Sequence, residues 1–209
     1  MSHAREHLRR SDYVLATVIK NTVLKRRPRE TNHFRSLVRA IIGQQISGKA
    51  AASIRQRFAK LVPEKEFPEP KDIARMPIRK LRGIGLSRQK AGYLKDLSRK
   101  VAKGQINFQA FAGAPDEEVI VELTKVKGIG RWTAEMFLMF SLARPDVFSY
   151  GDLGLQNAVK KLYRLKSHPT QKQLEKISSA WKPYRSLASR YLWASLSAKG
   201  GSASGGKNL

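Results

Sequence analysis

The sequence of 209 residues contains no cysteine. Disulfide bonds, thiolate zinc sites, cysteine nucleophiles and cysteine-ligated iron–sulfur clusters are therefore excluded. The four histidines are scattered without the spacing of metal ligands, and they are His3, His7, His33 and His168. Any chemistry must therefore use other groups, and the sequence predicts no cofactor and no side-chain metal cluster.

Acidic residues are few, since 16 Asp and Glu face 41 Lys and Arg and leave a formal charge of +25. A chain with 41% hydrophobic residues can still build a core, which a disordered basic tail cannot. So large a charge repels itself in a compact fold and favours a polyanionic partner, with nucleic acid as the first hypothesis. From charge alone, a ribosomal protein or a protein of an anionic membrane surface stays open.

Long apolar runs are also missing. No stretch approaches the roughly 20 residues of a membrane span, and no apolar segment follows the charges of residues 1–10. The sequence therefore predicts a soluble, intracellular protein that makes no membrane contact.

Strict alternation, the signal of a strand, is not found in any long run, whereas helical spacing recurs. One apolar helix face is formed by Phe34, Leu37, Val38, Ile41 and Ile42. Pro115 followed by three acids indicates a first helical turn, and Thr170 indicates an N-cap. The pattern predicts an all-α protein of eight to ten short helices.

Two Gly-Ile-Gly units stand 45 residues apart, at 83–85 and 128–130. Each follows one helical stretch and precedes another. Glycine adopts a positive φ easily, and the next helix then presents free N–H groups to an anion such as a phosphate. The alternative is an ordinary helix–turn–helix corner.

Four ordered segments carry a family resemblance. Residues 34–51 read FRSLVRAIIGQQISGKAA, 123–140 read LTKVKGIGRWTAEMFLMF, 144–155 read RPDVFSYGDLGL and 181–193 read WKPYRSLASRYLW. Together they resemble the helix-hairpin-helix (HhH-GPD) superfamily of DNA glycosylases, and within it the 3-methyladenine DNA glycosylase II branch.

This resemblance implies a two-lobed helical bundle with a helix-hairpin-helix DNA-binding motif. Residues 1–198 would form a single glycosylase domain, with the active site in the cleft between the two lobes, and 199–209 a flexible Gly/Ser-rich tail. About 30 residues precede the shared region, so we expect no N-terminal β-domain of the kind that some members carry.

Three acids compete for the role of catalytic carboxylate: Asp152, Glu135 and Asp146. From the residues alone Asp152 is favoured but not selected, because an aspartate after a glycine can equally cap the helix predicted for 153–163. The resemblance makes Asp152 the catalytic residue. Its carboxylate would stabilise the positive charge that develops on the sugar, or orient the attacking water.

The resemblance also implies the reaction type and the base pocket. Superfamily members that cleave the DNA strand carry a lysine two residues after the last hairpin glycine, where this chain has Trp132. We therefore predict a monofunctional enzyme without lyase activity. The implied pocket residues are Trp132, Met136, Tyr150 and Trp193. An indole suits an alkylated, positively charged purine, although both tryptophans could instead belong to the core.

The remaining implied roles concern DNA. Leu86 matches the position of an intercalating wedge, and the opposite side of the gap would be filled by Gln45, Ile46 and Ser47. The alternatives are a hydrophobic staple at Leu86 and interhelix hydrogen bonds from Gln44 and Gln45. Phosphate contacts would come from Gly128, Gly130, Arg131, Thr133, Lys125 and Lys127. Backbone carbonyls would hold a monovalent cation, Na⁺ or K⁺, and they belong to Thr124, Val126 and Ile129.

The leading hypothesis is therefore excision of alkylated purines from double-stranded DNA, chiefly 3-methyladenine and 7-methylguanine, with ethenoadenine or hypoxanthine as weaker substrates. A non-enzymatic helix-hairpin-helix protein that senses damaged DNA is the alternative. An 8-oxoguanine or mismatch glycosylase is disfavoured by the absent lysine and cysteines. The protein is expected to act as a monomer, in the cytoplasm at the nucleoid in a prokaryote or in the nucleus in a eukaryote.

Overall fold

A computed structural model describes residues 2–24 and 30–197. Within these residues it contains twelve α-helices, one short 3₁₀ helix at Ala110–Ala112 and no strand. The α-helices are α1 Ser2–Ser11, α2 Tyr13–Lys20, α3 His33–Gly43, α4 Gly48–Ala59, α5 Pro70–Arg75, α6 Ile78–Gly83, α7 Arg88–Ala102, α8 Asp116–Thr124, α9 Arg131–Phe140, α10 Leu153–Leu162, α11 Gln171–Ser179 and α12 Arg185–Ser197.

The predicted all-α class is confirmed, but eight to ten helices was too low a number. Helices α5 and α6 have six residues each. Helices this short are unstable alone in water and form only where the fold packs them, so their local pattern is weak. The tail prediction, for 199–209, lies outside the described residues.

The described chain divides into two compact units, one formed by residues 2–24 and 143–197 and the other by 30–142. The single domain with a cleft between two lobes stays a prediction. No helix in the described part is both long and apolar enough to cross a membrane.

In the first unit one aspartate, Asp12, joins three segments of the chain through hydrogen bonds, one of them to the buried Trp181. Asp12 is the N-cap of α2, where its Oδ1 accepts the Leu15 N–H at 2.9 Å. Its Oδ2 accepts the Trp181 indole N–H at 2.8 Å and the Tyr163 hydroxyl. Tyr163 is the C-cap of α10, so the carboxylate of Asp12 fixes the far end of the helix that begins after Asp152.

The second unit is built on the amphipathic helix predicted from the spacing of its apolar residues. All five residues of that face are buried on α3: Phe34, Leu37, Val38, Ile41 and Ile42. Helices α4 and α7 contact α3, and buried residues on the following helices of the unit include Ile54, Phe58, Leu81, Leu94 and Leu97. Burying such side chains contributes roughly 1.5–3 kcal/mol each, so this face contributes substantially to the unit's stability.

Two helix N-caps agree with the local signals, and a third differs by one residue. Thr170 is the N-cap of α11 and forms a capping box with Gln173. Asp152 is the N-cap of α10, which ends at Leu162, one residue before the predicted end. Pro115 is the N-cap of α8 rather than its first residue, so the acids of the first turn begin at Asp116.

Candidate active site

Asp152 lies at the start of α10 with its carboxylate almost fully buried, since the residue is 5% exposed. Its Oδ1 accepts the Leu155 N–H at 2.7 Å and the Trp193 indole N–H at 2.9 Å. The helix N-terminus and the indole N–H both place positive partial charge next to this oxygen, which favours the ionised carboxylate. The cap and the buried carboxylate are therefore the same side chain, so the two readings of Asp152 are compatible.

Gly154 leaves the space in which Trp193 reaches Asp152. A Cβ at Gly154 would lie 3.0 Å from Asp152 Oδ1 and 3.1 Å from Trp193 Cδ1. Any larger residue would push on both members of the hydrogen bond. Gly154 has no role among the sequence-based predictions, although its position two residues after Asp152 is a signal in the sequence.

Asp146 forms an ion pair with an arginine, Arg185. Arg185 Nε lies 2.7 Å from Asp146 Oδ1, and a second guanidinium nitrogen lies 3.0 Å from Oδ2. The same guanidinium donates to the Tyr150 hydroxyl at 3.2 Å. Asp146 thus anchors the loop before Asp152 to the start of α12. Arg185 lies within the WKPYRSLASRYLW segment but has no role among the sequence-based predictions.

Glu135 is also held by an arginine. Arg131 Nε lies 3.0 Å from Glu135 Oε1, and the Glu135 side chain is 8% exposed. Arg131 additionally donates to both carboxylate oxygens of Glu117 on α8, one of them at 3.0 Å. Arg131 was expected to contact DNA phosphates. In the structure it forms ion pairs with two acids of its own unit, the exposed Glu117 and the buried Glu135.

The second Gly-Ile-Gly unit forms a tight hairpin between α8 and α9. The Ile129 N–H donates to the Val126 carbonyl at 3.0 Å, and Gly128 has a φ of +84°. A Cβ on Gly128 would lie 2.1 Å from the ring of Tyr93, so only glycine fits. Gly130 is the N-cap of α9 and offers no side chain to the N–H groups of the first turn.

The first Gly-Ile-Gly unit has a different structure, so the two are not copies of one motif. There the positive φ is at Gly85, +98°, rather than at the first glycine. The following helix is capped by Ser87, whose Oγ accepts the Lys90 N–H at 3.2 Å. This cap supplies the acceptor that a phosphate would provide, whereas the start of α9 has no such side chain.

A comparison of the sequence with profiles of known protein families decides the family. The profile described as "HhH-GPD superfamily base excision DNA repair protein" matches residues 38–183, which is more than half of the chain. The chain belongs to the HhH-GPD superfamily.

Individual proteins similar to this chain are named as DNA-3-methyladenine glycosylases, in agreement with this family. DNA-3-methyladenine glycosylase 1 of Schizosaccharomyces pombe is 38% identical over 161 residues, covering 77% of this chain and 71% of the relative. A putative DNA-3-methyladenine glycosylase of Bacillus subtilis is 35% identical, covering 78% of this chain. The chain spans only 58% of that relative's length.

A solved HhH-GPD structure superposes on the chain. It is the 3-methyladenine DNA glycosylase of Schizosaccharomyces pombe in complex with abasic DNA, with a TM-score of 0.80 and 35% identity. The match covers 91% of this chain and 95% of that chain. The resemblance to the 3-methyladenine branch is thereby confirmed.

The four expected pocket residues of this HhH-GPD protein fall in both units. Trp193 and Tyr150 are half-buried in the first unit, where Trp193 contacts Asp152. Met136 is buried in the second unit, whereas Trp132 is 40% exposed. An indole this exposed is not a core side chain, which argues against the core interpretation of Trp132.

Leu86 does not match its prediction. The wedge role assumed an exposed loop residue, but Leu86 is 4% exposed. It directly precedes the N-cap Ser87 of α7, which is the position of a hydrophobic staple and gives a physical reason for its burial. The prediction of an exposed Leu86 is therefore wrong, and the staple interpretation fits the structure.

The loop between α3 and α4 keeps the expected exposure. Gln45 and Ser47 are exposed, and Ile46 is half-buried. Gln45 has a φ of +55°, and Ser47 caps α4 by accepting the Ala50 N–H at 3.3 Å. Gln44 donates its side-chain N–H to the Gly128 carbonyl at 2.8 Å, as the interhelix alternative predicted.

The remaining expected DNA contacts lie in and beside the hairpin. Lys125 and Lys127 are exposed, although Lys125 also pairs with Glu122. Thr133 is buried on α9, so only its backbone N–H remains a candidate for phosphate binding. Among the described residues no cluster of three or more His, Asp or Glu side chains could hold a metal.

Proposed function

We propose that this protein is a monofunctional DNA glycosylase that hydrolyses the N-glycosidic bond of alkylated purines in base excision repair. Double-stranded DNA containing 3-methyladenine or 7-methylguanine is the proposed substrate, with ethenoadenine or hypoxanthine as weaker ones. The observation that carries the proposal is the buried Asp152 carboxylate, held at a helix N-terminus and bonded to an indole, in a chain of the HhH-GPD superfamily.

The chemistry requires an anion more than an acid. When the C1′–N bond breaks, the bonding electrons leave with the base and the deoxyribose becomes an oxocarbenium ion. A purine alkylated at N3 or N7 already carries a positive charge, so it departs as a neutral base without a proton donor. Asp152 would stabilise the sugar cation and accept the proton of the water that attacks C1′, leaving an abasic site.

The absent lysine supports simple hydrolysis. Strand cleavage through a Schiff base needs an amine beside C1′, and Trp132 stands where superfamily lyases carry that amine. The exposed indole of Trp132 would instead stack on the cationic base. Met136, Tyr150 and Trp193 are the other residues of the proposed pocket.

The hairpin is the proposed phosphate site. The start of α9, which has no side-chain cap, offers the N–H groups of its N-cap Gly130 and of Thr133 in its first turn, and Lys127 adds an exposed charge. Carbonyls of Thr124, Val126 and Ile129 would hold a Na⁺ or K⁺ ion, whose charge would favour a nearby phosphate. The Val126 carbonyl already accepts the Ile129 N–H and has a second lone pair.

The test compares Asp152→Asn with the parent on DNA treated with a methylating agent. Asparagine is as good an N-cap as aspartate and can still accept from Leu155 and Trp193, so the fold is kept while the charge is lost. We expect release of 3-methyladenine and 7-methylguanine to fall about 100-fold or more, with DNA binding retained. Parental strands should break only after alkali.

The control is Glu175→Gln, which removes an exposed carboxylate from α11 in the same unit and should leave base release unchanged. If the parent bound methylated DNA without releasing bases, the alternative of a damage-sensing protein would replace the proposal. Parental strand breakage without alkali would contradict the monofunctional assignment.

A further inference from the structure

Helix α7 carries three side chains that contact the two loops proposed to touch DNA. They are Lys90, Tyr93 and Asp96, whose spacing of three residues places them on one side of the helix. One loop is the segment between α3 and α4, residues 44–47, which we name the plug loop. The other is the hairpin at 126–130. None of these three side chains has a role in the proposed reaction.

Lys90 holds the start of the plug loop. Its Nζ donates to the Ile42 carbonyl at 2.9 Å and to the Gln44 carbonyl. These carbonyls belong to the last turn and the C-cap of α3, where helical partners are missing and a cation is favourable. Burial lowers the pKa of the Lys90 amine, because its charged form is partly removed from water.

Gln44 continues the connection to the hairpin. While Lys90 binds its backbone carbonyl, its side-chain N–H donates to the Gly128 carbonyl at 2.8 Å. The next residue, Gln45, is exposed with a φ of +55°, a conformation that non-glycine residues adopt at a cost. The backbone that turns Gln45 outward is therefore fixed at the residue that Lys90 holds.

The other two side chains hold the hairpin from the α7 side. Asp96 Oδ2 accepts the Lys127 N–H at 2.8 Å. The Tyr93 ring lies against Gly128 so closely that no Cβ fits between them. The hairpin is thus attached to the same helix that carries Lys90, and Gln44 closes the connection between the two loops.

We propose that Lys90 is a positioning residue that joins the plug loop to the hairpin through Gln44, so that both loops meet duplex DNA as one preformed surface. This inference rests on the proposed function, because it takes the hairpin as the phosphate site and the plug loop as the filler of the gap left by the extruded base. Preforming the surface removes the cost of ordering two loops on binding.

The chain offers a matched control for Lys90 on the same helix. Lys95 is also partly buried on α7, donates its Nζ to a backbone carbonyl, that of Met76, and has a pKa lowered by burial. Met76 follows α5 and belongs to neither loop. Lys90→Met and Lys95→Met therefore each remove a partly buried amine that donates to backbone carbonyls, two carbonyls for Lys90 and one for Lys95, and only Lys90→Met affects the plug loop.

The experiment measures single-turnover base release from a methylated duplex and from the same methylated strand alone, together with thermal unfolding. We expect both variants to lose stability, Lys90→Met somewhat more because it removes two hydrogen bonds and Lys95→Met removes one. Lys90→Met should lower duplex excision about tenfold, while its excision from the single strand, which has no gap to fill, stays within twofold of the parent. Lys95→Met should keep the parental ratio of duplex to single-strand excision.

A double-mutant cycle tests the route through Gln44. Gln44→Leu removes the bond to Gly128 and should reduce the duplex-to-single-strand ratio as Lys90→Met does, and it serves as the test if Lys90→Met does not fold. The double variant should lose no more than the poorer single variant. Additive losses, or equal ratios in the two lysine variants, would overturn the inference. A parent that releases no base would instead refute the proposed function.

Discussion

Asp152 and Trp193 are 41 positions apart in the sequence, and the bond between them joins the two residues for which the sequence implied separate roles. Asp152 was expected as the carboxylate and Trp193 as a pocket aromatic. In the structure the indole N–H donates to the carboxylate oxygen that also caps α10. A tryptophan that positions the carboxylate can therefore influence the rate without changing how the base is bound.

Gly154→Ala tests this bond at its tightest point. The added methyl would lie 3.0 Å from Asp152 Oδ1 and 3.1 Å from Trp193, so one of them must move by a few tenths of an ångström. We expect single-turnover excision to fall about tenfold, because small displacements of a positioned group are costly in rate. Base release from methylated DNA at saturating protein is the measurement.

The control for this substitution is Gly92→Ala on α7, where a Cβ would meet nothing within 4 Å. Replacing a glycine inside a helix by alanine stabilises by about 0.5–1 kcal/mol. Gly92→Ala should therefore raise the unfolding temperature and leave excision unchanged. If Gly154→Ala also kept the parental rate, the Asp152–Trp193 bond would not matter for the reaction.

Between elements, the Arg131–Glu117 pair connects α9, which begins at the hairpin, to α8. Both side chains are more than half exposed, at 59% and 65%, so the pair contributes little to stability. The hydrogen bond from Arg131 lowers the pKa of the Glu117 carboxyl below its ordinary 4.5. The pair is therefore fully charged at neutral pH, and it is lost only as the pH falls through that lowered value.

Glu117→Gln should strengthen DNA binding. The substitution removes a negative charge that is paired with Arg131 beside the hairpin. Of its ion pairs with Glu117 and Glu135, Arg131 then keeps only the one with Glu135. We expect a several-fold tighter Kd for duplex DNA near pH 7 and a plot of log Kd against log salt that is steeper by about one unit. Unchanged affinity and slope would show that Arg131 makes no phosphate contact.

How far the elements could be predicted depended on whether their cause is local. Caps such as Thr170 and Asp152 are set within three residues, and the sequence sufficed to place them. The six-residue helices α5 and α6 depend on packing against the rest of the fold, which no local pattern indicates. The two Gly-Ile-Gly units differ for the same reason, since Tyr93 constrains only the second.

For the whole molecule, repeated helical spacing sufficed to predict the all-α class, and four ordered segments sufficed for the family. The connections that hold the first unit together are not visible in the sequence. Asp12 and Trp181 are 169 positions apart, and neither lies in a pattern that indicates the other. Arg185 and Gly154 were missed likewise, because their roles exist only once the loop before α10 meets α12.

The charge of +25 gives a prediction for the whole molecule, which is that salt should act on binding and not on chemistry. If six to ten phosphates are neutralised, affinity for duplex DNA should fall about 10³–10⁵-fold between 50 and 200 mM salt. Asp152 is 5% exposed, and buried groups are screened far less than exposed ones. The single-turnover rate at saturating protein should therefore stay nearly constant over the same range.

Two measurements on the same samples separate these effects: Kd by fluorescence anisotropy of a labelled duplex, and base release with protein in excess. Asp152→Asn serves as the control, because it should bind with the parental salt slope while failing to release bases. A salt-independent Kd would mean that the lysines and arginines do not neutralise phosphates. A single-turnover rate that fell in parallel with affinity would mean that the surface charge acts in the reaction itself, beyond bringing the DNA to Asp152.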